Sequence, residues 1–313
     1  MKIEQAVATY VFYKQSLGMR FATQERMLKS FSETMGSIEV DRIGPESMRA
    51  FLDGNGPMTR YWHCKFSTLK GFYRFCLARG YVSSVPLPTT EPRCPQTFTP
   101  YIYSQDEIKR LLQAAAGRAS CRIDAVTSRT LLLLLYATGL RISEALNLNL
   151  DDVDLNDRVL YVRRSKFYKT RLVPIGTDLT QVLREYAQRR HKRSRLDPDA
   201  PFLLTSRGER VLRAGAEQAF RWMRSQAEVR RQDQDGGRYQ PRLHDLRHTA
   251  AVTRLVSWYR EGVDVQRLLP QLATYLGHVH ISGTQCYLSM TPELLQQASG
   301  RFEQFFLGET SHA

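Results

Sequence analysis

Apolar residues in positions 1–82 recur three or four positions apart, which is the spacing of one face of an α-helix. Glycine, proline or polar residues interrupt the pattern, so it predicts four short helices, the third over 46–52 and the fourth over 59–79. Pro45 suits the first position of the third helix, where its missing N–H costs no hydrogen bond. The apolar positions of the first, second and fourth helices are Ala6, Val7, Tyr10, Val11, Met27, Leu28, Phe31, Met35, Trp62, Phe66, Leu69, Tyr73, Cys76 and Leu77.

Residues 83–100 break this pattern, since they hold five prolines and few apolar side chains. Such a segment cannot continue a helix and is typical of a semi-extended linker. The linker separates a helical N-terminal domain, 1–82, from a second domain over 101–300. Ser104 and Glu107 form a capping box that predicts the first helix of this second domain.

Two short β-type runs, 159–162 and 171–175, lie in the middle of the second domain and are joined by a turn. The other periodic segments are helical, and they cover 178–190, 214–228, 245–260 and 265–276. We therefore predict a mainly α protein of two domains with one small antiparallel β-sheet. A tail, 301–313, carries an apolar stripe of Phe302, Phe305, Phe306 and Leu307.

Charge adds a partner to this picture. The 313 residues include 45 Lys and Arg against 31 Asp and Glu, which leaves a formal net charge of +14. A chain this basic favours a polyanionic partner and salt-sensitive binding, although charge alone does not separate DNA from RNA or a membrane surface. The five cysteines are scattered and odd in number, so neither a disulfide framework nor a zinc ribbon is indicated. Without a signal peptide or a membrane-length apolar run, we expect a cytoplasmic protein with no membrane partner.

Candidate chemistry is concentrated near the C-terminus, where LHDLRHT at 243–249 precedes LGH at 276–278 and then Tyr287. An arginine such as Arg247 keeps its charge and offers a fork of donors to phosphate oxygens. His244 and His278 have side chains that titrate near neutral pH. A tyrosine hydroxyl, with a pKa of about 10, needs nearby cations and a base to act as a nucleophile. The set suits metal-free chemistry on a phosphodiester, and it requires a second arginine upstream.

The second arginine is Arg141, in the string ATGLRISEALNL at 137–148. With it, the chain resembles the tyrosine recombinase and phage integrase family, of the Xer-like and mobile-element type. The resemblance covers roughly 101–300 and rests on TGLRISE, HDLRH, LGH, a tyrosine nine residues after the last histidine, and a lysine in SKFYKTRLVP. The hairpin lacks the glycines that relatives often have, so Lys169 competes with Lys166 for the lysine position. The catalytic residues that the resemblance implies are Arg141, Lys166, His244, Arg247, His278 and Tyr287.

The resemblance implies a site-specific recombinase that cuts and rejoins DNA through a covalent 3′-phosphotyrosyl intermediate, without metal or cofactor. It implies double-stranded DNA as the partner and a homo- or hetero-tetramer on two DNA sites. The element served would be a mobile element, a plasmid or a chromosome. Relatives clamp DNA with the N-terminal domain, and their C-terminal tail docks into a neighbouring protomer. The polar stripe of the fourth helix is accordingly our candidate DNA contact, and it consists of His63, Ser67, Lys70 and Arg74.

Two other functions remain open from the residues. In HDLRH, His244 and His248 are four positions apart on one helical face, as in the HExxH motif of zinc hydrolases, with His278 or His280 as a third ligand. Against a zinc hydrolase, Arg247 would repel the metal ion and Asp245 stands where the general base would be glutamate. The other alternative is a catalytically inactive protein that binds a specific DNA site.

Overall fold

A computed structural model describes residues 1–56, 58–93, 100–117, 122–163, 170–191, 197–232 and 240–289, with Gln296 and Ser299. The chain divides into two compact units, Met1–Phe98 and Thr99–Ala313. Each unit has its own buried apolar core. Among the described residues, none of the helices combines the length and the apolar character that a membrane span requires.

The first unit contains the four predicted helices. They are α1 Ile3–Ser16, α2 Ala22–Met35, α3 Pro45–Asp53 and α4 Arg60–Ala78. Pro45 is the first residue of α3, as predicted. Thr59 caps α4, because its side-chain hydroxyl accepts a hydrogen bond from the backbone N–H of Tyr61 at 3.2 Å. The sequence pattern thus predicted the number of these helices, and it placed the ends of the third and fourth to within one residue.

The core of the first unit contains most of the predicted apolar positions. Leu77 is the exception, since its side chain is 45% exposed, whereas Phe72 is fully buried. The reason is geometric: Cys76 completes the stripe at a spacing of three, and the next residue turns about 100° away from that face. Our assignment of Leu77 to the buried face was therefore wrong.

The second unit is mainly helical and contains one three-stranded sheet. The helices are α5 Gln105–Ala116, α6 Ala125–Thr138, α7 Ile142–Leu146, α8 Thr177–His191, α9 Arg213–Gln226, α10 Asp245–Arg260, α11 Val265–Leu276 and α12 Ser282–Gln285. The strands are β1 Val153–Asp154, β2 Val159–Val162 and β3 Arg171–Pro174, in the order β1-β2-β3 and antiparallel throughout. The predicted fold class is confirmed. The pattern missed β1, because two residues are too few to show an alternation.

The α6 helix lies at the centre of the second unit, packed against α5, α8 and α10. Eight of its fourteen residues are buried, and they form a broad face, while Arg129 and Ala137 on the other side are exposed. The helix ends at Gly139, which has a φ of 62° and adopts the left-handed conformation. The α11 helix ends in the same way at Gly277, with a φ of 71°. These two glycine turns bring the ends of both helices to one place.

Replacing Gly139 should destabilise this meeting point. A Cβ atom on Gly139 would lie 2.8 Å from Cδ2 of Leu276, and the positive φ disfavours any L side chain. We expect Gly139→Ala to cost about 1–3 kcal/mol of unfolding free energy, as overpacked cores do. Thermal melting should show a lower Tm for Gly139→Ala than for Gly176→Ala, whose new Cβ would meet nothing within 4 Å. Equal melting temperatures for the two variants would contradict this prediction.

Candidate active site

Three of the sequence motifs meet where α6, α10 and α11 approach each other. Arg141 follows the turn at the end of α6 and stands at the N-cap position of α7. Arg247 lies in the first turn of α10, and His244 immediately precedes that helix. His278 follows the glycine turn at the end of α11. The structure thus brings together residues separated by more than a hundred positions in the sequence.

Arg247 is buried and joins the two glycine turns. Its Nη1 donates to the carbonyl of Gly139 at 2.7 Å, and its Nη2 donates to the carbonyl of Leu276 at 2.6 Å. Both acceptors lie at helix C-termini, where unpaired carbonyls carry partial negative charge. Burial and then the nearby charge of Arg141 lower the pKa of Arg247 to about 10, so the side chain remains protonated at neutral pH.

Arg141 is held by a carboxylate that the sequence analysis did not assign, Glu144. Its Nη1 donates to Oε1 of Glu144 at 2.8 Å, and its backbone N–H donates to Oε2 at 3.0 Å. Arg171 on β3 binds the same carboxylate from the other side, with Nη1 to Oε1 at 3.0 Å and Nη2 to Oε2 at 2.8 Å. Burial alone would raise the pKa of Glu144, but its bonds to Arg171 and Arg141 lower it to about 2. Glu144 is therefore ionised throughout the neutral range.

The C-terminal end of α11 binds all three arginines. The carbonyl of Tyr275 accepts from Nε of Arg171 at 2.9 Å, and the carbonyl of Gly277 accepts from Nη2 of Arg141 at 2.8 Å. With the bond from Arg247 to Leu276, three consecutive carbonyls each receive one guanidinium. A helix C-terminus attracts cations, and these bonds satisfy carbonyls that have no partner within the helix. Sequence spacing could have suggested Glu144, three residues after Arg141, but nothing in it pointed to Arg171.

Tyr287 lies beside this arginine cluster. Its side chain is 2% exposed, and its ring centroid lies 5.6 Å from that of His248 and 6.1 Å from that of His278. Burial raises the pKa of the Tyr287 hydroxyl, while the positive charge of Arg247 acts in the opposite direction. The phenol is therefore neutral at rest, and its reaction as a nucleophile requires a proton acceptor.

The three histidines of the site, His244, His248 and His278, lie close to positively charged arginines. Burial and then the charge of Arg247 lower the pKa of His278 to about 4, and its Nδ1 lies 2.7 Å from the hydroxyl of Thr284. Burial and the charge of Arg247 also lower the pKa of His244, whose ring centroid is 5.2 Å from that of His248. Burial lowers the pKa of His248 to about 3. All three are thus neutral near pH 7, so each can donate one hydrogen bond and accept another.

These shifts predict acid sensitivity of the fold. The folded pKa of His278, about 4, lies below its ordinary value of 6.5, so the unfolded chain binds a proton that the folded chain does not. Stability from this group is complete above pH 6.5 and is lost as the pH falls toward 4. Urea unfolding at several pH values should show that the free energy of unfolding falls as the pH falls from 6.5 to 4. His278→Gln should reduce the slope of this free energy against pH, by at most about 1.4 kcal/mol per pH unit. The exposed His280, changed to Gln, is the control, and an unchanged slope in His278→Gln would refute the prediction.

The candidate DNA contacts lie on α4 in the first unit. Ser67, Lys70 and Arg74 are exposed, as a binding stripe requires. His63 differs, because its side chain is 15% exposed and its Nδ1 lies 3.1 Å from Oε1 of Glu91. The Glu91 carboxylate thus pairs with Nδ1 of His63, and the described residues offer no partner for Nε2.

Some of the predicted residues lie outside the part of the chain that the structure describes. Lys166 and its competitor Lys169 lie outside the described residues, as does the apolar stripe of the tail. The described side chains offer no group of three His, Cys, Asp or Glu positioned to share a metal ion, so the zinc alternative gains no ligand set from them. Arg190, in the last turn of α8, is buried, and its Nε and Nη2 both donate to the carbonyl of Pro201.

Comparison with known proteins supplies the context for this geometry. Residues 102–293 match the phage integrase family. The chain is 35% identical over 306 residues to a putative integrase/recombinase of Sinorhizobium fredii, y4rB, covering 96% of each chain. It is 31% identical to the tyrosine recombinase XerD of Bifidobacterium longum, covering 84% of this chain and 83% of that one.

Solved structures share the fold at lower sequence identity. The Tn1549 transposon integrase in complex with a circular intermediate DNA superposes with a TM-score of 0.73 at 16% identity, covering 97% of this chain and 99% of that chain. A lambda integrase tetramer bound to a Holliday junction superposes with a TM-score of 0.67 at 17% identity, covering 92% of this chain and 77% of that chain. At these identities the likeness concerns the fold.

Proposed function

The chain belongs to the phage integrase family and is a tyrosine-type site-specific DNA recombinase; from that premise we propose that the arginine cluster and Tyr287 are its reaction centre. The observation that carries the assignment is the position of Arg247. Its guanidinium is fixed between the carbonyls of Gly139 and Leu276, and its positive charge acts on the Tyr287 hydroxyl to lower the pKa that burial raises. A cation is thus fixed next to the nucleophile before any substrate arrives, as electrostatic catalysis requires.

In the proposed reaction, the hydroxyl oxygen of Tyr287 attacks the scissile phosphorus. Arg141 and Arg247 bind the non-bridging oxygens and stabilise the charge that accumulates in the transition state, with a hydrogen bond from His278. The P–O5′ bond breaks, so Tyr287 becomes linked to the 3′-phosphate and a 5′-hydroxyl leaves. His244 assists removal of the tyrosine proton, and Lys166 protonates the departing oxygen. Because the intermediate retains the energy of a phosphodiester, rejoining requires no nucleotide cofactor.

The net charge of the site suits an anionic substrate. Arg141, Arg171 and Arg247 carry three positive charges, and Glu144 is the carboxylate that directly binds two of them. The three neutral histidines add no charge. Glu144 therefore offsets only one of the three positive charges. The positive charge that remains suits the dianionic transition state of phosphoryl transfer.

The protein binds DNA and acts as a multimer. Neighbours of the same fold include a lambda integrase dimer on a core site and a tetramer on a Holliday junction. We propose four protomers on two duplexes for this chain, because exchange between two sites needs four strand cleavages. In the first unit, we propose that the exposed Ser67, Lys70 and Arg74 contact the duplex, with His63 released from Glu91 if it takes part.

A trapping experiment tests the function. The full chain is incubated with a suicide duplex that carries the terminal sequence of its element, in the presence of EDTA, and denatured in SDS. We expect a protein–DNA adduct whose digestion yields a peptide containing Tyr287 linked to a 3′-phosphate. DNA binding without any adduct would instead support the catalytically inactive alternative, and an adduct abolished by EDTA would support metal-dependent chemistry.

A further inference from the structure

Arg171 is the one arginine of the cluster without a part in the proposed reaction. It begins β3, and its side chain is 9% exposed. Three of its nitrogens are engaged, Nε by the carbonyl of Tyr275 and the two Nη atoms by Glu144. This bidentate geometry is the strongest way for an arginine to bind a carboxylate.

The reason for this arrangement lies in the charge of Glu144. Its Oε1 is 2.8 Å from Nη1 of Arg141, so an isolated Glu144 would neutralise a cation that the phosphate needs. Arg171 supplies a second positive charge to the same carboxylate. The group of Arg141, Glu144 and Arg171 therefore carries a net charge of +1, where Arg141 and Glu144 alone would carry none. The pKa of Glu144 near 2 reflects the strength of both arginines on it.

The backbone around Arg171 accommodates it closely. A Cβ atom on Gly277 would lie 2.8 Å from Nη1, 2.9 Å from Cζ and 3.1 Å from Nε of Arg171. Only a glycine at this turn lets the guanidinium pack against the backbone whose carbonyl binds Arg141. Arg171 thus touches both supports of Arg141, namely Glu144 and the turn at Gly277.

We propose that Arg171 is a positioning residue for DNA cleavage: it holds and neutralises Glu144, so that Arg141 is fixed in orientation and keeps its positive charge for the phosphate. The proposal rests on the proposed function, because it takes Arg141 as a phosphate-binding group. Arg171 itself touches neither the phosphate nor Tyr287 in this account.

The test measures the single-turnover rate of adduct formation on the suicide duplex at saturating DNA. Arg171→Gln should be about 10- to 100-fold slower than wild type, the scale of loss when a catalytic group is misplaced by an ångström. The double variant Arg171→Gln with Glu144→Gln should be about tenfold faster than Arg171→Gln alone, because it removes the carboxylate that has lost Arg171. Arg171→Lys should be intermediate, since lysine keeps the charge but cannot bind both carboxylate oxygens.

A pH profile separates positioning from a purely structural role. In Arg171→Gln the carboxylate of Glu144 loses a cation, so protonation as the pH falls from 8 to 5 should bring the variant's rate closer to that of wild type. Arg190→Gln is the control, because it removes another buried guanidinium whose partner is the carbonyl of Pro201. The ratio of its rate to that of wild type should not change with pH. All rates are compared at a temperature where each variant is folded by circular dichroism.

The outcomes are distinct. If wild type and Arg171→Gln form adduct at equal rates, or if the double variant is no faster than the single one, the positioning role is wrong while the proposed function stands. If wild type forms no adduct, the proposed function fails and the role of Arg171 fails with it. Should Arg171→Gln not fold, Arg171→Lys with and without Glu144→Gln takes its place, and a wild-type rate in Arg171→Lys alone overturns the proposal.

Discussion

Tyr287→Phe should abolish adduct formation, with a loss of at least about 10⁴-fold in rate, because phenylalanine offers no oxygen to attack the phosphorus. The substitution removes one atom from a ring that is 2% exposed and packed between His248 and His278. The ring stays in place, and only the hydroxyl is lost. The fold and the DNA affinity should therefore be nearly unchanged. Denaturing gels measure the adduct, and a mobility-shift titration measures binding.

The matched control is Tyr103→Phe. Tyr103 is a buried tyrosine of the same unit whose hydroxyl donates to the carbonyl of Arg242 at 2.9 Å, so its variant also loses one buried hydroxyl. We expect Tyr103→Phe to form adduct at close to the wild-type rate. Adduct formation by Tyr287→Phe would show that another residue is the nucleophile, and the assignment of Tyr287 would have to be abandoned.

Arg247→Gln should slow adduct formation by at least about 10³-fold at saturating DNA, since loss of one preorganised donor already costs 10²–10³-fold and this change also removes a charge. Arg247 has a second role, because it connects the carbonyls of Gly139 and Leu276. Leaving these two buried carbonyls without a donor should cost roughly 1–3 kcal/mol each in unfolding free energy. The variant is thus expected to be both slower and less stable.

Two comparisons separate these effects for Arg247. Arg247→Lys keeps a positive charge, but one ammonium cannot bind both carbonyls and a phosphate, so its rate should remain low while DNA binding is largely retained. Arg254→Gln is the control on the same helix, where the arginine is exposed and lies about two turns further along α10. A rate for Arg247→Gln within tenfold of Arg254→Gln would exclude a direct role for Arg247 in the reaction.

Local sequence patterns located most of the fold, and the reason is visible in particular elements. The start of α4 follows from the cap at Thr59, and the start of α5 follows from the capping box of Ser104 and Glu107. These signals act over three or four residues, so they survive in any tertiary context. They failed for Leu77, whose exposure depends on the direction of the helix face, and for β1, whose two residues form a strand only because β2 lies beside them.

The candidate site shows the same division. The sequence by itself determined the fold class, the membership of the family, and the motif positions of Arg141, His244, Arg247, His278 and Tyr287, because short motifs and their order are properties of the linear chain. Only the tertiary structure showed that three consecutive carbonyls at the end of α11 bind three arginines, and that Arg171 and Glu144 belong with them. Contacts between residues 27 or 136 positions apart depend on how helices pack, which no local pattern encodes.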